Sequence, residues 1–268
     1  MASFMSNTDL PTVLITGCSE GGIGSALVEA FHERGFYVFA TARSLSKMMH
    51  LNIDAARKAV VTQTGGTGRL DLLVNNAGLN LNRPALDSDL AYAKKMFDVN
   101  FWGMVNVTHT FMPLLIASKG TVVNNASLAG VLHVPWGSFY NASKAAVRMY
   151  SETLRLEVAP LDVKVITVMT GIVATNMFNN TPHDSLPRDS YYQMASHEIA
   201  LTATGEKFES LAMPPAVYAK SIVDDVLARR SGMTWRGRIA WLGWFVHAYL
   251  PTWLTDRGVV AGSGLEKV

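Results

Sequence analysis

The chain has 268 residues, of which 49% are hydrophobic and only 16% charged. That is enough apolar material for one large α/β domain without cross-links, and the single cysteine, Cys18, excludes an intramolecular disulfide and fits a reducing compartment. A net charge of +2, with no basic run and no aromatic–basic ladder, argues against a nucleic-acid partner.

Residues Met1 to Thr12 lack the basic and apolar regions of a signal peptide, so the protein reads as cytoplasmic. The apolar run Thr12 to Thr16 predicts a first strand leading into a glycine cluster. A helix follows, with Ile23, Ala26, Leu27, Ala30 and Phe31 on one face, and then a second strand from Tyr37 to Thr41. Leu70 to Val74 predicts a third strand, running into Asn75-Asn76-Ala77-Gly78. Thr121 to Asn125 and Val163 to Val168 predict two more, with helices over Ala91 to Leu115 and Ser138 to Ala159 between them. Apolar strands alternating with amphipathic helices imply a parallel sheet covered on both faces. From Asn176 to Pro215 the sequence turns polar and is punctuated by Pro182, Pro187, Pro214 and Pro215, as in a lid or binding loop. A last helix is predicted over Ala216 to Arg230, and the end of the chain is rich in tryptophan (Trp235, Trp241, Trp244, Trp253).

Three groups of residues carry chemistry. Thr16-Gly17-Cys18-Ser19-Glu20-Gly21-Gly22-Ile23-Gly24 joins a strand to a helix. Glycines there permit a sharp turn and close approach to a pyrophosphate, and the helix start offers free N–H groups. The same pattern also occurs in ordinary turns, and its place at the start of an α/β series is what favours a dinucleotide. The second strand ends in Ala42-Arg43 with no acid to hold ribose hydroxyls, while the Arg43 fork suits a 2′-phosphate, which points to NADP(H) rather than NAD. Tyr140 and Lys144 stand four positions apart on one helix face. A free phenol titrates at about 10, so an adjacent ammonium is expected to lower its pKa and make it a usable acid–base group. Ser127, just past a strand, could hold a substrate oxygen as charge develops on it. Asn100, amid apolar residues, either organises backbone or holds a relay water.

In this order the motifs resemble the short-chain dehydrogenase/reductase family over residues 11 to 176, the set being completed by Thr170-Gly171-Ile172-Val173-Ala174-Thr175. The resemblance implies a single Rossmann-type domain with a doubly wound parallel sheet over residues 1–268. Within it, 11–176 would be the cofactor-binding and catalytic core, 177–215 a substrate lid, and 216–268 a helix and tail. It implies Tyr140 as proton exchanger, Lys144 as the group that lowers the phenol's pKa and binds the nicotinamide ribose, Ser127 as carbonyl positioner and Asn100 as holder of a relay water. Gly17, Gly22, Ile23 and Gly24 would receive the pyrophosphate, Asn75, Asn76, Ala77 and Gly78 would line the adenosine half, and Val173 and Thr175 would contact the carboxamide. A homodimer or homotetramer through the long helices is implied as well.

Three departures stand out. The family loop usually reads TGxxxGIG, whereas four residues here separate Gly17 from Gly22, a longer form similar to that of fungal NADPH-dependent 1-acyldihydroxyacetone-phosphate reductase-like members. Thr170 stands where the family has proline, which should slightly loosen that turn. The stretch from Arg43 to Asn75 is short by about a strand and a helix, which threatens an interior strand; Asn52-Ile53-Asp54 is a candidate remnant, with Asp54 placed to contact adenine.

The expected function is therefore NADP(H)-dependent reduction of a ketone, or oxidation of the matching alcohol. Val134 and Trp136 hint at a bulky apolar substrate such as a lipid or specialised-metabolite ketone. The alternative is a non-catalytic NADP(H)-binding redox sensor. No metal is expected, because His197-Glu198 lacks its second histidine, Leu201 taking that place. The tail, 233–257, is too short in its apolar stretch to span a bilayer. It leaves two roles open: cover for the substrate pocket, or peripheral contact with an intracellular membrane or lipid droplet.

Overall fold

Among the described residues, six strands form one all-parallel sheet: β1 (Thr12–Thr16), β2 (Tyr37–Thr41), β3 (Leu72–Asn75), β4 (Thr121–Asn125), β5 (Lys164–Thr170) and β6 (Gly232–Arg236). Their spatial order is β2-β1-β3-β4-β5-β6, so the chain reverses its direction of travel across the sheet between β1 and β3. The computed structural model describes residues 10–41, 53–66, 69–181 and 184–268, the side chains of residues 53–55 excepted. The helices are α1 (Ile23–Glu33), α2 (Ile53–Gln63), α3 (Leu90–Phe97), α4 (Met104–Ser118), α5 (Ser138–Val158), α6 (Ser196–Thr204), α7 (Pro215–Leu227), α8 (Ala240–Tyr249) and α9 (Thr252–Val260).

Because successive side chains of a strand point to opposite faces, each strand feeds two cores. Val13 and Ile15 of β1 join Val74, Val123, Ile166 and Val168 beneath Leu27 and Phe31 of α1 and Ile222 of α7. Leu14, between them in sequence, joins Leu73, Val122 and Val165 against Val60 of α2, Phe111 and Leu115 of α4 and Leu154 of α5. Near-continuous apolar strands are what a sheet covered on both faces requires. The doubly wound arrangement expected from the sequence is thus the one observed.

Several local expectations need correction. No interior strand is missing, since β1 pairs with β2 on one side and β3 on the other, and among the described residues β2 is the edge. Ile53 and Asp54 open α2 instead of forming a strand remnant. The run that follows, Ala55-Ala56-Arg57-Lys58-Ala59, is made of strong helix formers, and Val60 gives the helix its core contact. The helix predicted over Ala91 to Leu115 is interrupted by a wide π turn at Asp98–Gly103. The polar stretch 176–215 contains α6, and the tryptophan-rich end contributes β6 and the helices α8 and α9. The sequence does not announce strand β6: Gly232 opens it and Gly237 follows it, both at positive φ, and its five residues contain no run of aliphatics.

Candidate active site

The site lies at the carboxyl ends of β1, β3, β4 and β5, beside the point where the chain reverses direction, which is where open α/β sheets leave a crevice. The glycine loop is held there by side chains from the next strand end. Asn76 Nδ2 donates to the carbonyls of Thr16 (3.0 Å) and Gly17 (3.1 Å), while Thr16 Oγ1 accepts the N–H groups of Asn76 (3.0 Å) and Ala77 (3.1 Å). Gly17, at φ 74°, lies so close to this turn that a Cβ would stand 2.7 Å from Ala77 Cα. A Cβ on Gly24 would run into the Gly17 carbonyl oxygen. Gly22, by contrast, caps α1 at φ −103°, and the second left-handed position is Gly21, which the sequence reading passed over. Helix α1 starts with no side-chain cap and no acid in its first turn, so its N–H groups are left to an external anion. A dinucleotide pyrophosphate fits this donor set.

The other expected cofactor residues fall into place unevenly. Asn75 is buried and its Nδ2 donates to Thr108 (3.0 Å) and Asn124 (2.8 Å), so its side chain serves the sheet interior and only its backbone faces the crevice edge. Gly78 stands at the catalytic cluster, where a Cβ would lie 3.3 Å from Asn100 Oδ1 and 3.9 Å from Lys144 Nζ. Val173 packs into the core beneath α1 and α7, leaving its main chain as the part that can meet a ligand. Ile23 packs against the same core, and Thr175 Oγ1 accepts the Met177 N–H at 3.4 Å. Arg43, on which the preference for a 2′-phosphate rests, lies outside the described residues, as does the Asp54 side chain.

The four catalytic candidates come together. Tyr140 and Lys144 project from one face of α5, with Lys144 Nζ 5.8 Å from the Tyr140 ring centroid. Lys144 is 4% exposed and donates to the Asn125 carbonyl at 2.8 Å. Ser127, which caps the turn after β4, stands by the Tyr140 phenol and acts to lower its pKa. Asn100 sits in the π turn, where Oδ1 accepts the Leu79 N–H (2.7 Å) and Nδ2 donates to the Leu79 carbonyl and Ser143 Oγ (both 3.0 Å). Its amide therefore organises backbone, joining the loop after β3 to α5.

The electrostatics differ from the simple expectation. Burial pushes the Tyr140 phenol up to about 12, and Ser127 only partly opposes this. The same burial pulls the Lys144 ammonium down to about 8. Desolvation disfavours whichever form is charged, so the two groups move towards neutrality together. The ammonium is aimed at a backbone carbonyl instead of at the phenol oxygen, and the expected lowering of the tyrosine does not arise from the chain alone.

The sequence reading assigns no role in the site to Asn125, Tyr218 and Ser143, and marks Thr170 only as a departure at its turn. Asn125 Nδ2 donates to Asn76 Oδ1 (2.9 Å), and its Oδ1 accepts from Thr170 Oγ1 (2.5 Å) and Tyr218 OH (3.3 Å). Thr170 and Tyr218 are themselves 2.6 Å apart. Thr170 is a buried node at the end of β5. Two adjacent amides, Asn124-Asn125, closing an apolar strand were the available signal for Asn125, whereas nothing in α7 singles out Tyr218. Trp136 also changes role. It is buried, donates to the Ser263 carbonyl (2.8 Å) and packs with Tyr192 and Ile199, anchoring the chain end and α6 instead of walling a pocket. Beside the site, an open cleft is lined by Leu81, Arg83, Tyr92 and, from the 177–215 segment, Asp184, Pro187 and Tyr191.

Comparisons with known proteins agree with this geometry. The family described as short chain dehydrogenase matches residues 11–186. "Short-chain dehydrogenase ptmH" of Penicillium ochrochloron is 45% identical over 95% of this chain and 98% of its own length. A Saccharomyces cerevisiae "NADPH-dependent 1-acyldihydroxyacetone phosphate reductase" is 36% identical over 95% and 92% respectively. Among solved structures, a Burkholderia cenocepacia short chain dehydrogenase in complex with NADP superposes with a TM-score of 0.69 at 26% identity, covering 93% of this chain and 98% of that one. A Streptomyces avermitilis short-chain dehydrogenase gives 0.74 at 26% identity, covering 97% of both.

Proposed function

The chain belongs to the short-chain dehydrogenase/reductase family, and we propose that it reduces a ketone on a bulky apolar substrate with NADPH, Tyr140 supplying the proton. The observation that carries this reading is the convergence of Tyr140, Ser127 and Lys144, with Lys144 linked through Asn125 and Asn76 to a glycine loop whose geometry suits a pyrophosphate. When bound, the dihydronicotinamide ring would supply the hydride. Gly17 to Gly24 and the start of α1 would hold the pyrophosphate, with Arg43 at the 2′-phosphate, Asp54 at adenine, Asn75 to Gly78 along the adenosine side, Lys144 at the ribose and the 173–175 segment at the carboxamide. The NADPH dependence in the yeast relative's name and the NADP in the Burkholderia complex support the choice of cofactor.

A phenol held up at about 12 stays protonated at neutral pH, so Tyr140 stands ready as an acid towards an oxygen gaining charge. Ser127, beside that phenol, would share the same oxygen and steady it. Lys144, still largely charged below about 8, offers the positive charge that makes loss of the tyrosine proton easier once substrate excludes water. Asn100 fixes the loop after β3 against Ser143, three positions after Tyr140 on α5, and any relay water would be held at its remaining acceptor capacity.

Tyr140→Phe tests the mechanism. The variant should bind NADPH within about threefold of wild type by fluorescence titration yet lose at least ~1000-fold in NADPH oxidation with a ketone panel. Full retention of turnover would remove Tyr140 from the mechanism, and absence of turnover in the wild type across the panel would favour the non-catalytic NADP(H) sensor. The proposal extends to a homodimer or homotetramer through α4 and α5, whose exposed Ile116, Met149 and Leu156 are supportive, and light scattering decides it. Peripheral membrane contact through 233–257 is a further part of the reading, since Trp241, Trp244 and Trp253 are exposed and no helix among the described residues is long and apolar enough to cross a membrane. Liposome flotation that is unchanged when Trp241, Trp244 and Trp253 are all replaced by serine would rule that contact out.

A further inference from the structure

Among the described residues, the hydrogen-bond acceptor of Lys144 is the main-chain carbonyl of Asn125, the last residue of β4. Asn125 is also held by its side chain, which is bonded at both ends of its amide. Its amide nitrogen donates to Asn76, the residue that clamps the glycine loop. Its amide oxygen receives two hydroxyls, Thr170 Oγ1 at 2.5 Å and Tyr218 OH at 3.3 Å. Those hydroxyls come from the last residue of β5 and from α7, far from Asn125 in sequence, and both side chains are buried. Buried polar groups fixed by several directional bonds have little freedom to relax, and removing one partner leaves the others unsatisfied.

We propose that Thr170 and Tyr218 are positioning residues for Lys144, acting through Asn125 to hold the carbonyl that receives its ammonium. The proposal rests on the function proposed above for its catalytic meaning, but not for its test. The groups facing Lys144 are few: Tyr140 on its own helix, the Asn125 carbonyl from β4, Asn100 from the π turn past Gly78, and Tyr218 beyond Asn125 on α7. No carboxylate pairs with it among the described residues. An ammonium already disfavoured by burial therefore depends on that one carbonyl, and a carbonyl released to turn makes the charged form less stable still.

The test is a pH titration of the Lys144 side chain in the cofactor-free, full-length protein labelled with 13C-lysine, the resonance being identified by its loss in Lys144→Met. Thr170→Val keeps the shape and removes the hydroxyl, and Thr170→Ser restores it. The Lys144 midpoint should fall by about half a pH unit or more in Thr170→Val and return to within about 0.2 unit of wild type in Thr170→Ser. Tyr218→Phe, which leaves the shorter Thr170 bond in place, should produce a smaller fall in the same direction. With a ketone substrate, Thr170→Val should lose roughly tenfold in kcat while its KM for NADPH stays within about threefold. Midpoints unchanged in both Thr170→Val and Tyr218→Phe, or a serine variant that fails to restore the midpoint, would overturn the proposal. Should Thr170→Val not fold, an unchanged midpoint in Tyr218→Phe overturns it alone. A shifted midpoint in a protein that oxidises no NADPH would leave this inference standing and remove the proposed function instead.

Discussion

The carboxyl edge of the sheet and the α8–α9 end of the chain are both rich in side chains unusual for their surroundings, but they are held in opposite ways. At the sheet edge, Asn76, Asn100, Asn125, Lys144 and Thr170 are tied by hydrogen bonds of 2.5–3.1 Å, mostly spanning distant parts of the chain. At the chain end, α8 touches the protein body through Ala240 and Gly243, the latter so close to Leu128 that a Cβ would stand 2.6 Å from its Cδ2. Trp241, Trp244, Phe245 and Tyr249 of the same helix are exposed. Directional bonds fix positions to fractions of an ångström, which a proton-transfer site needs. A helix seated by two small residues presents a surface instead, and that surface tolerates change unless something covers it.

The comparison breaks most severely at Gly24. Replacing it with alanine drives a Cβ into the Gly17 carbonyl oxygen, so the loop can no longer close as built. Gly24→Ala should cost about 3 kcal/mol in urea unfolding and weaken NADPH binding ~100-fold. Wild-type affinity in this variant would mean that the loop does not receive the dinucleotide.

A second prediction concerns Lys144, whose ammonium is pulled from 10.5 down to about 8 by burial. Below about 8 it is charged in folded and unfolded protein alike, and the cost of burying it is fully present. Between about 8 and 10.5 the folded protein has shed the proton while the unfolded chain keeps it, so stability rises with pH across that window. Relative to Lys144→Met, the wild type should gain about 2 kcal/mol between about pH 8 and pH 10 in denaturation without cofactor. Tyr140, raised from 10.0 to about 12, works against stability only above about pH 10. A flat difference between the two proteins would show that the amine is hydrated.

The smallest effect is expected at the chain end. Trp241 and Trp244 are 70% and 44% exposed, so the double change to serine should move unfolding by no more than about 0.5 kcal/mol. A loss above about 2 kcal/mol would reveal that the rings are covered in solution, by a second copy or by the rest of the chain, and would narrow the contrast between the two regions.

The sequence by itself determined much of this protein. Strands such as Thr12–Thr16 and Thr121–Asn125 declare themselves because apolar runs between turn residues are local facts, and the glycine loop does so because sharp turns restrict residue type. The placement of Tyr140 one turn before Lys144 follows from helical spacing alone. Only the tertiary structure decided that β6 joins the sheet beside β5, that β2 is the edge strand among the described residues, and that Asn100 lies in a π turn. It also decided the direction in which the phenol titrates and the union of Asn125, Thr170 and Tyr218. These depend on which groups from distant segments share a space that water has left, and neither local periodicity nor residue type records that.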